Sequence, residues 1–288
     1  MMSLELCFQK KYPRTANKIL SYWQQANGFM PDFADVSKSS LNAFVELLCE
    51  KVAPSSARTY CAQMKSVLNL YADDGVLPKG WEKFLTVKND VSEQIYLTDD
   101  ELKSVIEYTP ESINEATVQQ QFVLSALLGA RHGDILRLTV NNIRDGYVCY
   151  VSEKTHIKAQ VPLSQVAARI LRGKYNHGLE GEEKAYLRKV SDPTYNDILR
   201  RICKKVGITE EITLYKRGDV ITAPKWTFAS SHLGRRTCAT LLYLHGCDIY
   251  TISRILAHAS VEMTASKYIM CPIRTLSQET MQYFGQFK

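Results

Sequence analysis

No run of apolar residues in this chain approaches the roughly 20 that a membrane-spanning helix needs. The opening Met1-Met2-Ser3-Leu4-Glu5 lacks the basic and apolar regions of a signal peptide, so the chain is expected to stay in the cytoplasm. Cysteine pairs are also missing. The eight cysteines, Cys7, Cys49, Cys61, Cys149, Cys203, Cys238, Cys247 and Cys271, include no C-x-x-C arrangement, and none has a histidine at zinc-finger spacing. They read as reduced structural thiols rather than as disulfide staples or metal ligands. Internal repeats and low-complexity tracts are absent as well, which leaves an ordinary globular fold as the expectation. A strong charge of one sign is lacking too: the net charge is a modest +6. An excess of that size fits a solvated basic face as well as an anionic partner, so charge alone does not select nucleic acid.

What is present is a chain of 288 residues, 45% of them hydrophobic, long enough for two domains with a core each. The charge is uneven. Residues 1–95 carry 11 Lys and Arg against 10 Asp and Glu, and the remainder carry 25 against 20.

Ile19, Leu20 and Trp23 follow helical spacing and predict a helix from Thr15 to about Gln25. Lys10, Lys11, Arg14 and Lys18 lie just before and within it, a basic entry that suits a DNA backbone or simply solvent. A second helix fits Leu41 to Val52. Pro54-Ser55-Ser56 reads as a turn and N-cap for a long helix that buries Tyr60, Met64, Val67, Leu68 and Tyr71. Gly75, Pro78 and Gly80 close that helix, and Trp81 to Leu85 makes one more short helical piece. Residues 1–88 thus predict a small all-helical domain, and the polar, aperiodic stretch at 89–96 predicts a linker.

The second domain, residues 97–288, opens on a capping box, Thr98-Asp99-Asp100-Glu101. A helix from Glu115 to Leu128 breaks at Gly129-Ala130-Arg131-His132-Gly133-Asp134, where glycines on both sides are expected to turn the backbone and bring Arg131 out of the apolar wall. A salt bridge to Asp134 is the plainer account of that arginine. Tyr147 to Val151 and Ile157 to Leu163 read as the one clear β-hairpin, with Lys154 at its tip and Lys158 on the returning strand. Helices fit Gln165 to Gly173 and Asn196 to Val206, with short strands at Glu211 to Leu214 and Val220 to Ala223. The expected fold class is mainly α with a small β-hairpin or sheet: a helical N-terminal bundle and an α+β second domain.

The C-terminal third holds the residues with chemistry. His232 and Arg235 lie three apart, so on a helix both emerge from one face, and His258 and Tyr268 follow. Histidines with an arginine can clamp a phosphate, and a tyrosine can attack it. The apolar residues Ala239, Leu241, Leu242, Leu244, Ile249, Ile252, Ile255 and Leu256 have the spacing of helices packed into a core behind that clamp. A zinc site fits poorly, because arginines ligate nothing.

Five motifs in order, Gly129-Ala130-Arg131-His132-Gly133-Asp134, then Glu153-Lys154-Thr155, then His232-x-x-Arg235, then Leu256-Ala257-His258, then Tyr268, resemble the tyrosine recombinases, or phage integrases. The resemblance covers residues 97 to about 272 and implies a SAM-like core-binding domain before them. It implies a site-specific DNA recombinase that cuts and rejoins double-stranded DNA through a 3′-phosphotyrosine intermediate, as a homotetramer on DNA, with no cofactor or metal. By the same resemblance Arg131, Lys154, His232, Arg235, His258 and Tyr268 are the catalytic set, and the tail at 273–288 packs onto a neighbouring protomer or onto its own domain. Two departures stand out. Ala257 occupies a position where the family usually has glycine, and the interval from His258 to Tyr268 is ten positions, one more than expected. An extra residue turns a helix by about 100°, so a loop has to absorb it. A topoisomerase-like nick-and-reseal enzyme and a DNA-binding protein with a lapsed active site are the alternatives.

Overall fold

The computed structural model describes residues 3–70, 77–88, 93–172, 187–216 and 219–267. Packing divides the chain into two units, residues 1–93 with 214–221, and residues 94–213 with 222–288.

In the first unit, α1 (Leu4–Lys11), α2 (Ala16–Asn27), α3 (Lys38–Lys51) and α4 (Pro54–Leu68) enclose an aromatic core. The rings of Trp23 and Phe44 lie 5.5 Å apart at its centre, and both are fully buried with Leu41 and Met64. Helix α1 was not legible as an amphipathic repeat: only Leu4, Cys7 and Phe8 are buried, and its start is set by Ser3, whose hydroxyl accepts from the Leu6 N–H. Helix α4 corrects the expected turn. It begins at Pro54 itself, where the missing N–H costs nothing, and Ser55 and Ser56 lie inside it. A 3-10 turn at Trp81–Phe84 matches the short helical piece expected there. Tyr71, Gly75 and residues 89–92 of the expected linker lie outside the described residues. Glu93 donates its N–H to the Tyr215 carbonyl and accepts the Tyr215 N–H on its carboxylate, at 2.9 and 2.8 Å.

The second unit is built on α6 (Ile113–Leu128), which is buried along most of its length. Helix α5 (Asp99–Glu107) precedes it and carries the expected capping box: Thr98 accepts from the Glu101 N–H, and the Glu101 carboxylate accepts from the Thr98 N–H. Helix α9 (Asp192–Lys205) packs on α6 and starts four residues before the expected Asn196, because Pro193 fits the first turn. The sheet holds one strand more than the hairpin expected. β1 (Ile143–Arg144) pairs with β2 (Tyr147–Val151), which pairs with β3 (Lys158–Pro162), all antiparallel, with Tyr147 opposite Pro162 and Val151 opposite Lys158. Two residues are too short a run to show alternation. Val148 and Tyr150 of β2 and Ala159 and Val161 of β3 turn inward, beneath α8 (Gln165–Arg172). β4 (Glu211–Lys216) and β5 (Asp219–Pro224) form a second ribbon.

Helix α10 (Leu233–Leu244) lies against α6 at close range. A Cβ on Gly234 would come within 3.0 Å of the Phe122 carbonyl oxygen and the Ser125 Cβ, so only glycine allows this approach. After α11 (Ile249–Ile255) the chain turns through Leu256–Ala257–His258 into α12 (Val261–Lys267). Among the described residues no disulfide is formed, and no helix is long and apolar enough to cross a membrane.

Candidate active site

Helix α6 ends in a left-handed residue, Gly129, with φ at 64°. A Cβ there would meet Leu256 Cδ2 at 2.8 Å, so glycine serves both the backbone turn and the close approach of the 256 turn. Arg131 follows in an extended conformation and caps α7 (His132–Ile135), a single helical turn. The expectation of glycine-driven turns on both sides of Arg131 is half right. Gly133 lies inside α7 with open space where a Cβ would be, and the chain there turns by the Ile135 N–H bonding the Arg131 carbonyl.

Arg131 forms the expected ion pair with Asp134, at a long 4.0 Å, and a serine bridges the two. Arg131 Nη1 donates to Ser152 Oγ at 2.7 Å, and that hydroxyl donates to Asp134 Oδ2 at 2.9 Å. Asp134 also accepts from the Glu153 N–H and from Arg137, whose other nitrogen pairs with Glu153 at 2.6 Å. The carboxylate thus holds Arg131 by way of a fully buried serine, and also pins the start of the lysine turn.

His232 caps α10, and Arg235 sits in its first turn. Arg235 is completely buried. Nη1 donates to the Gly129 carbonyl at 2.7 Å and Nη2 to the Leu256 carbonyl at 2.5 Å, so two backbone dipoles from the ends of α6 and α11 fix the guanidinium plane. The Ser231 N–H is held by Asn196 of α9 at 2.9 Å, which anchors the start of α10.

Lys154 is exposed on the turn between β2 and β3, and its neighbour Thr155 donates to the Ala257 carbonyl at 3.0 Å. Ala257 itself is left-handed, with φ at 47°, which is the physical reason for glycine in related turns. The next residue, His258, is buried, and its Nδ1 lies 2.8 Å from Thr264 Oγ1.

Desolvation is the first cause that lowers the pKa of His232, and the positive charges of Arg236, Arg235, Arg131 and Lys154 add to it. Burial and charge thus both favour the neutral imidazole. It lines a cavity of about 600 Å³ together with Arg131, Arg137, Glu153, Lys189 and Asp192. Beneath this site is Tyr150, whose buried hydroxyl has no hydrogen-bond partner among the described residues. Its pKa is raised, chiefly by burial, against the opposing charges of Arg235 and Arg131. A cavity that joins a fixed guanidinium to an imidazole held in its neutral form suits a phosphoryl group.

Residues 95–271 match the model of the phage integrase family. The chain belongs to the phage integrase family. These tyrosine recombinases are DNA strand transferases. No curated protein sequence matches the chain. Among solved structures it is similar in fold to lambda integrase bound to DNA, with 18% identity over 93% of this chain and 95% of that one and a TM-score of 0.62. It is also similar to the Tn1549 transposon integrase in complex with a circular intermediate DNA, with 13% identity over 98% and 100% of the two chains and a TM-score of 0.69. A lambda integrase tetramer bound to a Holliday junction matches with 18% identity over 91% and 74% and a TM-score of 0.61.

In this member of the family Arg131 and His232 line one cavity, and one turn links His258 to Arg235 and, through Thr155, to the lysine hairpin. Tyr268 and the tail at 273–288 lie outside the described residues. The interval before Tyr268 is not one continuous helix: Ala259 and Ser260 are irregular, and α12 begins at Val261. Sequence reading missed Ser152, Gly234 and Thr264. A lone serine at a strand end gives no signal, but Gly234 inside His232-Leu233-Gly234-Arg235 could have been read as a close helix contact.

Proposed function

We propose that this recombinase cuts and rejoins double-stranded DNA with Tyr268 as nucleophile and Arg131, Lys154, His232, Arg235 and His258 around the scissile phosphate. The observation that supports the reading is that Arg131 and His232 line one cavity, while the turn at 256–258 holds both Arg235 and the residue beside Lys154.

A tyrosine hydroxyl has a reference pKa near 10, so forming phenolate at pH 7 costs roughly 4 kcal/mol. Positive charge and a base offset that cost. In the proposed reaction the Tyr268 oxygen attacks phosphorus, a 3′-phosphotyrosine bond forms, and the bond to the 5′ oxygen breaks. His232, neutral in the resting site, takes the tyrosine proton. Lys154 gives a proton to the departing 5′ oxygen. Arg131 and Arg235 hold the non-bridging oxygens and strengthen their grip as charge gathers in the transition state, while His258 donates to the same group. The phosphodiester energy is kept in the protein–DNA link, so rejoining needs no nucleotide hydrolysis.

Exchange of strands between two duplexes calls for four protomers, and the likeness to a lambda integrase tetramer on a Holliday junction supports a homotetramer on DNA with residues 1–88 as a core-binding domain. The tail at 273–288 is proposed to pack onto a neighbouring protomer, and the enzyme to act on DNA in the cytoplasm of a bacterium or phage-infected host.

A nicked suicide duplex tests the chemistry. The wild-type protein should form a denaturant-resistant adduct, and Tyr268→Phe should form none while binding the duplex with unchanged affinity. Covalent adduct from Tyr268→Phe would reject Tyr268 as the nucleophile. Absence of adduct from the wild type as well would favour the lapsed, DNA-binding alternative.

A further inference from the structure

Three consecutive residues of one turn each hold a different part of the site. The Leu256 carbonyl accepts from Arg235, the Ala257 carbonyl accepts from Thr155 beside Lys154, and the His258 ring meets Thr264. The first two contacts position a charge. The third joins two buried side chains, His258 at 5% exposure and Thr264 at 0%, over 2.8 Å.

A threonine hydroxyl in such surroundings requires a partner, since an unpaired one costs on the order of 1–3 kcal/mol. Valine would fill the same volume without that demand. The hydroxyl therefore has a use that its shape does not supply. An imidazole in its neutral form is a donor at one nitrogen and an acceptor at the other, and the partner at Nδ1 decides which.

We propose that Thr264 is a positioning residue: its hydroxyl donates to Nδ1 of His258 and so keeps the imidazole in the Nε2–H form, the form able to donate to a phosphate oxygen. Thr264 belongs to α12, which ends at Lys267, and stands four residues before Tyr268 in the chain. The same contact thus ties the orientation of the phosphate-binding ring to the helix that leads into the nucleophile. The inference rests on the reading of His258 as a phosphate ligand.

The test uses the full-length protein and single-turnover cleavage of the nicked suicide duplex. Orienting partners of functional histidines at metal sites are worth 10–100-fold, and a loss of about that size is expected for Thr264→Val, with DNA affinity unchanged. Thr264→Ser, which keeps the hydroxyl, should recover the rate to within about threefold by the same reasoning. In a His258→Ala background Thr264→Val should cause no further loss. Full cleavage by His258→Ala would overturn the role of His258, and the inference with it. A slow His258→Ala beside a wild-type rate for Thr264→Val, or a Thr264→Val loss that persists in the His258→Ala background, would overturn the inference alone. The 15N spectrum of wild-type His258 gives a reading free of any variant's folding: Nε2–H supports the proposal, and Nδ1–H refutes it.

Discussion

His232 shows how residue-scale electrostatics favour a neutral imidazole. Its pKa is pushed below the ordinary 6.5 by desolvation first and then by Arg236, Arg235, Arg131 and Lys154. The folded protein therefore prefers the neutral ring, while the unfolded chain binds a proton as pH falls through 6.5. His232 contributes a loss of stability on acidification below that value, and the neutral base persists to a lower pH than a free imidazole would. Among those charges Arg236 weighs most, and it has no assigned chemical role. In Arg236→Gln the acid limb of the cleavage pH–rate profile should move up, toward 6.5, because one depressing charge is gone. An acid limb that stayed in place would remove His232 as the titrating base. Arg131 teaches a related lesson. The sequence suggested Asp134 as its partner, and the ion pair is there at 4.0 Å; the Ser152 hydroxyl that bridges the two could not be singled out before the strand and the one-turn helix were brought side by side.

At the scale of elements, the crossing of α6 and α10 decides where Arg235 sits. Gly234→Ala would drive a Cβ to 3.0 Å from the Phe122 carbonyl and 3.1 Å from the Ala126 nitrogen, both rigid helix backbone. Helix α10 would have to back away, carrying Arg235 off the Gly129 carbonyl. A destabilisation of about 1–3 kcal/mol is expected in urea unfolding, as for other overpacked cores, together with a loss of cleavage larger than the loss of folded fraction. Stability within experimental error of wild type would show that the helices have slack. Elements were also where sequence reading worked best. Helices α2 and α3 were legible because one face of each is apolar, α6 because it is a long apolar run ended by Gly129, and the Thr98–Glu101 box because it is local. Helix α1, strand β1 and the true start of α4 were not, since eight residues, two residues and a proline at the first helical position leave little periodicity to read. The site was legible as a set of residue types in order. Its supports, carbonyls of Gly129, Leu256 and Ala257, are backbone atoms that every residue carries, so no sequence could advertise them.

At the scale of the whole molecule, folding of the second unit depends on a polar knot away from the site. Glu115 is 5% exposed and accepts from the Tyr108 hydroxyl, the Glu111 N–H and Lys205, at 2.8, 3.0 and 2.9 Å. Burial alone would raise its pKa, but the hydrogen bonds from Glu111, Lys205 and Tyr108 outweigh it and bring the value down to about 2. A depressed carboxylate contributes stability that is complete above its ordinary 4.5 and is lost as pH falls toward 2. The urea midpoint of the wild type should drop between pH 5 and pH 3, and Glu115→Gln should be less stable at pH 7 and flatter over that range. Equal slopes for the two proteins would place the acid sensitivity elsewhere.

The two carbonyls that grip Arg235 have a consequence for motion. Gly129 and Leu256 close α6 and α11, and Arg235 between them is completely buried, so its guanidinium is released only when those helix ends part. Amide hydrogens at Gly129 and Arg236, bonded to Ser125 and His232, should exchange only as fast as the second unit unfolds, whereas that of Lys154 on the exposed turn should exchange orders of magnitude sooner. If Gly129 exchanged as readily as Lys154, the cradle would be no stiffer than a loop. The two charges thus differ in their seats: Arg235 is fixed between buried helix ends, and Lys154 stands on an exposed turn.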